Sequence, residues 1–174
     1  MDLRYPIGRF EAPAEVTPAL RAQWIEELAG TPALFRSAID GLSDAQLDTP
    51  YRPEGWTVRQ VIHHVPDSHM NCYVRFRLAL TEDNPIIKPY DEGQWALLPD
   101  ASGGPVEVSL RLLEALHDRW VQLARSLPGS AFARTYRHPE RGTADLGTTL
   151  GLYAWHSRHH AAHITGLRAR MGWK

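Results

Sequence analysis

Four stretches of roughly 20 residues repeat their apolar side chains at the 3.6-residue period of an α-helix, and none alternates convincingly as a half-buried strand would. The first, residues 17–42, carries Leu20, Trp24, Ile25, Leu28, Leu34, Phe35, Ile39 and Leu42. Gly30-Thr31-Pro32 interrupts it, which predicts one helix with a break or two short ones. After the Pro-, Gly- and Asp-dense loop DTPYRPEGW, Thr57 is the natural N-cap of VRQVIHHVPDSHMNCYVRFRLALTE. There Val58, Ile62, Val65, His69, Cys72, Phe76 and Leu80 form one stripe. Pro66 removes the bond to the Ile62 carbonyl at a cost of about 3 kcal/mol, so a kink is expected beside His63 and His64. The third stretch, residues 106–127, sets Leu110, Leu113, Leu116, Trp120 and Leu123 on one face and stops at Pro128-Gly129. The fourth runs from about Thr148 to Met171, with Gly172 as its stop.

These elements predict an all-α chain, a single domain over residues 1–174 folded as a four-helix bundle. The segment FARTYRHPERGTADLG reads as a short hairpin or a loop. The connection NPIIKPYDEGQWALLPDASGGP is too rich in Pro and Gly for regular structure, and its length suits a cover over a pocket. Tyr90, Asp91, Glu92 and Trp95 are then expected at the pocket mouth, with one long crossover after the second helix.

Charge narrows the partners. Nineteen Lys and Arg against twenty Asp and Glu give a formal net charge of -1, with the signs interspersed. That leaves no basic footprint for nucleic acid and no polybasic membrane patch, so a small molecule is the expected partner. No stretch approaches the roughly 20 apolar residues of a membrane span, and the first residues have no apolar signal-type run. The lone Cys72 can form no intramolecular disulfide, which fits a reducing cytoplasm, and its place on the inward stripe reads as core. Arg59, Arg75 and Arg77 read as surface charge, and His117 and His138 as solvent-facing.

Histidine is the unusual component. Four of the nine fall in the octet HSRHHAAH, His156 to His163. On a helix, residues four apart differ by about 40° and project from one face a turn apart, a spacing met by both His156/His160 and His159/His163. The helical wheel separates the two pairs. With Leu167 at the centre of the apolar face, His156 and His160 straddle it within about 20°. His159 lies well off that face and His163 is intermediate. Imidazoles in mid-core need partners, and bundles build metal sites from inward side chains on facing helices. A third ligand would come from His63, His64 or His69; the wheel favours His69, but the Pro66 kink makes straight-helix angles unsafe there.

The stretches YPIGRF, QLDTPYRPEGWTVRQVIHHVPDSHMNCYVRFRLALTEDNP, IKPYDEGQW and LGLYAWHSRHHAAHITGLRARMGW resemble, in that order, the YfiT-like branch of the DinB superfamily. The resemblance runs from about Tyr5 to Trp173 and implies a DinB-like four-helix bundle with three histidines on one divalent ion, zinc first and nickel second. It selects His64, the histidine of His64-Val65-Pro66-Asp67, together with His156 and His160. Pro66 departs from the helix former expected at that place. The family's label is metal-dependent hydrolase, and relatives in the superfamily look like S-transferases using low-molecular-weight bacterial thiols such as bacillithiol or mycothiol. A homodimer is also implied.

Three imidazoles leave a coordination position open for water or a thiol. Asp67, three residues after His64, offers itself as an outer partner or base. With no second carboxylate visible near these residues in the sequence, thiol transfer is slightly preferred to hydrolysis. A third reading is a non-catalytic stress or interaction protein in which the ion only ties two helices together.

Overall fold

The computed structural model describes residues 2–173. Its long helices are α1 (Pro18–Ile39), α3 (Val58–Thr81), α6 (Val106–Ser126) and α7 (Leu146–Met171), with short helices α2 (Asp44–Leu47), α4 (Glu92–Trp95) and α5 (Pro99–Gly103) in the links. The hairpin is present, as β1 (Thr135–His138) paired antiparallel with β2 (Gly142–Asp145).

The helix ends follow local chemistry. Thr57 caps α3 through the Gln60 amide, and the Gln60 side chain returns a bond to the Thr57 backbone N–H. Asp145 caps α7 at the Thr148 N–H, 2.7 Å away, which starts that helix two residues before the expected Thr148. Gly172, at φ 66°, ends it in the left-handed conformation that glycine adopts without strain.

One expectation about a break is corrected. α1 is one continuous helix through Gly30 and Pro32, because Leu28, Thr31 and Phe35 are all buried and packing outweighs the local helix-breaking preference. Its Thr31 hydroxyl donates to the Glu27 carbonyl and lies 3.0 Å from the Ser157 hydroxyl on α7. α3 runs as one helix with Pro66 inside it.

The packing order also differs from the expected single long crossover. α1 packs against α6 and α7, and α3 against the same two, so the sequence neighbours α1 and α3 occupy one diagonal and α6 and α7 the other. The long 82–105 connection therefore joins adjacent helices, and the shorter links through α2 and through the hairpin cross the diagonals. At the α1–α7 contact, Gly151 lets the helices close: a Cβ there would stand 2.7 and 2.8 Å from the Trp24 ring.

Polar groups also enter the core. Arg59 is 6% exposed, not a surface charge, because α2 folds back to bring Asp48 and Asp44 to 2.6 and 2.9 Å from its guanidinium. His117 is 1% exposed, not solvent-facing, since it shares the α6 face with Leu113, Trp120 and Val121. Burial pushes its ring down to about 4, and its Nδ1 donates to the Leu28 carbonyl at 2.6 Å. His138 is also buried, inward on β1 with Tyr136, and its Nδ1 accepts from the Glu140 N–H. His63 is satisfied at both nitrogens, donating from Nε2 to the Gly104 carbonyl and accepting at Nδ1 from the Ser109 hydroxyl.

Two outcomes follow from this packing. Gly151→Ala should lower stability by about 1–3 kcal/mol by overpacking against Trp24, whereas Gly30→Ala, with open space around it, should raise it by roughly 0.5–1 kcal/mol; urea titration of both variants reads the difference. For His117 the unfolded ring, near 6.5, takes a proton before the folded ring near 4 does. Its contribution to stability should therefore be constant above about pH 7, fall from pH 6.5 to 4, and level off below. In metal-free protein, His117→Gln should show a shallower acid limb in urea midpoints measured across that range, and an unchanged limb would contradict the assignment.

Candidate metal centre

The capping box fixes where α3 begins, and His64 stands nearly two turns into it, facing α7. On α7, His156 and His160 sit one turn apart with ring centroids 4.4 Å from each other. One nitrogen from each of His64, His156 and His160 falls within 4.8 Å of the others, so the three could hold a metal ion. The pair chosen by the wheel and the histidine chosen by the resemblance thus meet across two helices.

His64 and His160 are buried and His156 is half-buried. Desolvation lowers His64 to about 4 and holds His156 and His160 well below the ordinary imidazole range, with the neighbouring imidazoles adding to it. Neutral rings are what a metal requires, since each keeps one unprotonated nitrogen. His64 Nε2 and His156 Nε2 lie 3.4 Å apart. Two nitrogens on a tetrahedral zinc at 2.0–2.1 Å would be about 3.3 Å apart, so this edge fits without movement. His160 Nδ1 is buried with no hydrogen-bond partner among the described residues. The donor set and the spacing therefore suit a divalent transition-metal ion.

The same helix gathers a second group, His159, His160 and His163, whose ligand atoms also fall within 4.8 Å of one another. His159 and His163 are buried, which the wheel did not foresee, because segments remote in sequence cover that flank. Tyr51 stacks on His163 at 4.0 Å, Tyr5 lies against His159, and the Arg4 carbonyl accepts from His163 Nε2. This group shares His160 with the first and lies wholly on α7.

Above the first group is a cavity of about 380 Å³, lined also by Trp56, Arg75, Tyr90, Glu92, Glu140 and Arg141. A wider one of about 740 Å³ adjoins it over His159 and His163. The 84–105 connection does cover the pocket: Tyr90 and Glu92 line both cavities, Asp91 the wider one, and Trp95 backs Tyr90 at 4.6 Å. Burial pushes the Tyr90 hydroxyl up to about 12. Arg75 is half-buried and makes no ion pair or hydrogen bond among the described residues. Arg77 is exposed and donates to the Tyr73 hydroxyl.

Asp67 is not brought to the cavity. It is half-buried, makes no side-chain hydrogen bond to a histidine, and is raised to about 6 by burial and by Asp100. Cys72 is fully buried and burial pushes its thiol up, which suits core packing and not nucleophilic chemistry. Among the cavity residues that sequence reasoning missed are Trp56, Glu140 and Arg141, together with the inward turn of His138. They come from the 51–57 loop and the hairpin, and no local pattern ties either to the histidines.

The chain is similar to known proteins over its whole length. The chain is 56% identical over 172 residues to a Bacillus cereus protein named "Putative metal-dependent hydrolase", with 99% of each chain covered. Relatives of the same description from Bacillus thuringiensis subsp. konkukian and Bacillus mycoides are 56% and 55% identical, at the same coverage. A solved structure, YfiT from Bacillus subtilis, superposes with a TM-score of 0.98 at 47% identity over the whole of both chains. It is described as "a probable metal-dependent hydrolase with an unusual four-helix bundle topology". The sequence model of the DinB superfamily matches residues 19–164, and the chain belongs to that superfamily.

Proposed function

We propose that this chain is a metal-dependent hydrolase of a small molecule, working at one divalent ion held by His64, His156 and His160. The observation that carries the reading is the meeting of three neutral imidazoles from α3 and α7 beneath a cavity. The names of the relatives support it. Zinc is the first candidate and nickel the second. A divalent ion on three imidazoles supplies a Lewis acid with a coordination position left open.

The chain's own residues account for the rest. Glu92 and Glu140 line the cavity and are the carboxylates available to take a proton from an attacking water. Their presence reverses the preference for thiol transfer, which rested on finding no such carboxylate. Arg75, charged and without an ion-pair partner, binds an acidic group of the substrate. Trp56 and Tyr90 narrow the mouth and present flat apolar surface to the bound molecule. No catalytic role falls to Asp67.

The purified protein should carry one divalent ion per chain. His64→Ala and His160→Ala should each lose zinc affinity by more than the roughly 10–100-fold typical of losing an outer-shell partner, whereas Asp67→Asn should retain it within a few-fold. Full metal retention in both alanine variants would refute the site. Chelation should leave a folded chain that regains turnover on an ester and amide panel when zinc or nickel is restored; collapse on chelation would mark the ion as purely structural. Metal-dependent adducts between an electrophile and a thiol, with no ester or amide turnover, would replace the hydrolase reading by the S-transferase one. Arg75→Gln should raise KM for anionic substrates more than for neutral ones.

A further inference from the structure

His69 and His117 belong to no candidate ligand set, yet both are buried to 1% exposure or less. A neutral imidazole carries one N–H donor and one bare acceptor nitrogen, and in the core each needs a partner of the opposite kind. These two rings find theirs in a single file. His117 Nδ1 lies 2.6 Å from the Leu28 carbonyl, His117 Nε2 lies 2.8 Å from His69 Nδ1, and His69 Nε2 lies 3.1 Å from His156 Nδ1. Beyond, His156 Nε2 faces His64 Nε2 at 3.4 Å.

The direction of this file is fixed at its far end. A carbonyl oxygen can only accept, so the proton of His117 is on Nδ1 and its Nε2 is bare. His69 must then donate from Nδ1, which leaves its Nε2 bare. His156 must in turn donate from Nδ1. Three neutral rings have three protons, every one of them is assigned, and the nitrogen left over is His156 Nε2. The anchor has its own cause: Leu28 lies four residues before Pro32, which has no N–H, so the Leu28 carbonyl lacks its helical donor and is open to His117.

We propose that His69 and His117 are positioning residues of the metal centre, a hydrogen-bonded file from the Leu28 carbonyl that holds His156 in its Nδ1–H tautomer and presents a bare Nε2 to the ion. The proposal rests on the reading of His156 as a ligand. Without the file, His156 would be free to turn or to carry its proton on Nε2, where it blocks coordination. The file also leaves the ring no rotation about its own axis, which is the orienting work that outer partners of metal-bound histidines do.

Long-range proton–nitrogen correlation spectra of metal-free protein, labelled at histidine nitrogen, read the tautomer of each ring directly. His117, His69 and His156 should all appear as Nδ1–H in the wild type. His69→Leu removes the acceptor and should move His156 toward Nε2–H; His69→Gln keeps an acceptor and should hold the Nδ1–H signal. Zinc affinity by chelator competition should fall about 10–100-fold in His69→Leu and be largely restored in His69→Gln. His117→Leu, one link further out, should give a smaller change in the same direction, and circular dichroism checks that each variant folds. An Nε2–H signal for His156 in the metal-free wild type overturns the proposal whether or not zinc binds. An unchanged zinc affinity in folded His69→Leu overturns it as well. If the wild type binds no zinc while His156 still shows Nδ1–H, the metal-centre reading has failed and the positioning role falls with it. If the wild type binds zinc but His156→Ala binds it equally well, the reading of His156 as a ligand has failed and the positioning role falls with it, even where the Nδ1–H signals stand.

Discussion

Burying an imidazole commits a fold to answering two nitrogens of opposite character, and this chain buries eight of its nine histidines. How each is answered sorts them by role. His63 has a hydroxyl and a carbonyl, and His117 a carbonyl and another ring, so both are complete within the protein. His64, His156 and His160 are not complete: two of their nitrogens face each other at 3.4 Å, a distance suited to a shared ion, and His160 Nδ1 has no partner among the described residues, as is also true of His159 Nδ1 and His163 Nδ1 beside it. A core that left such groups unanswered would lose roughly 1–3 kcal/mol at each. The proposed metal centre thus draws on imidazoles that the protein's own donors and acceptors leave unmatched.

Much of the fold is legible in the sequence because helices are local. The four apolar stripes, the Thr57 cap and the Gly172 stop depend on residues within a turn or two of one another, and apart from the exposed Leu34 they stand close to where the periodicity places them. Pro32 is the instructive exception. Taken locally it ends a helix, but Leu28 and Phe35 on either side are locked into the core, and one lost backbone bond is small beside their burial. The diagonal order of the helices is not legible, since link lengths alone do not say whether a link joins neighbours or crosses the bundle.

The candidate site divides the same way. His156 and His160 follow from a wheel, because one helix carries both, and His64 follows from a motif. His117 was open to the same wheel that assigned Leu113 and Trp120, and its polarity hid it. Arg59, Trp56, Glu140 and Arg141 depend on loops and a hairpin that reach across the bundle end, where no period or spacing speaks. The burial of His159 and His163 similarly depends on Tyr5 and Tyr51, more than a hundred residues away in the chain.

The file of hydrogen bonds draws one member from every long helix: a carbonyl of α1, a ring of α6, a ring of α3 and a ring of α7. Its polarity is complete only when all four have docked in register. During synthesis α7 emerges last, so a partly folded chain can offer imidazoles but not the single bare nitrogen that the finished bundle presents. Under the proposed positioning role, metal capture would then act as an inspection of assembly, reporting the correct seating of helices that the ion itself never touches.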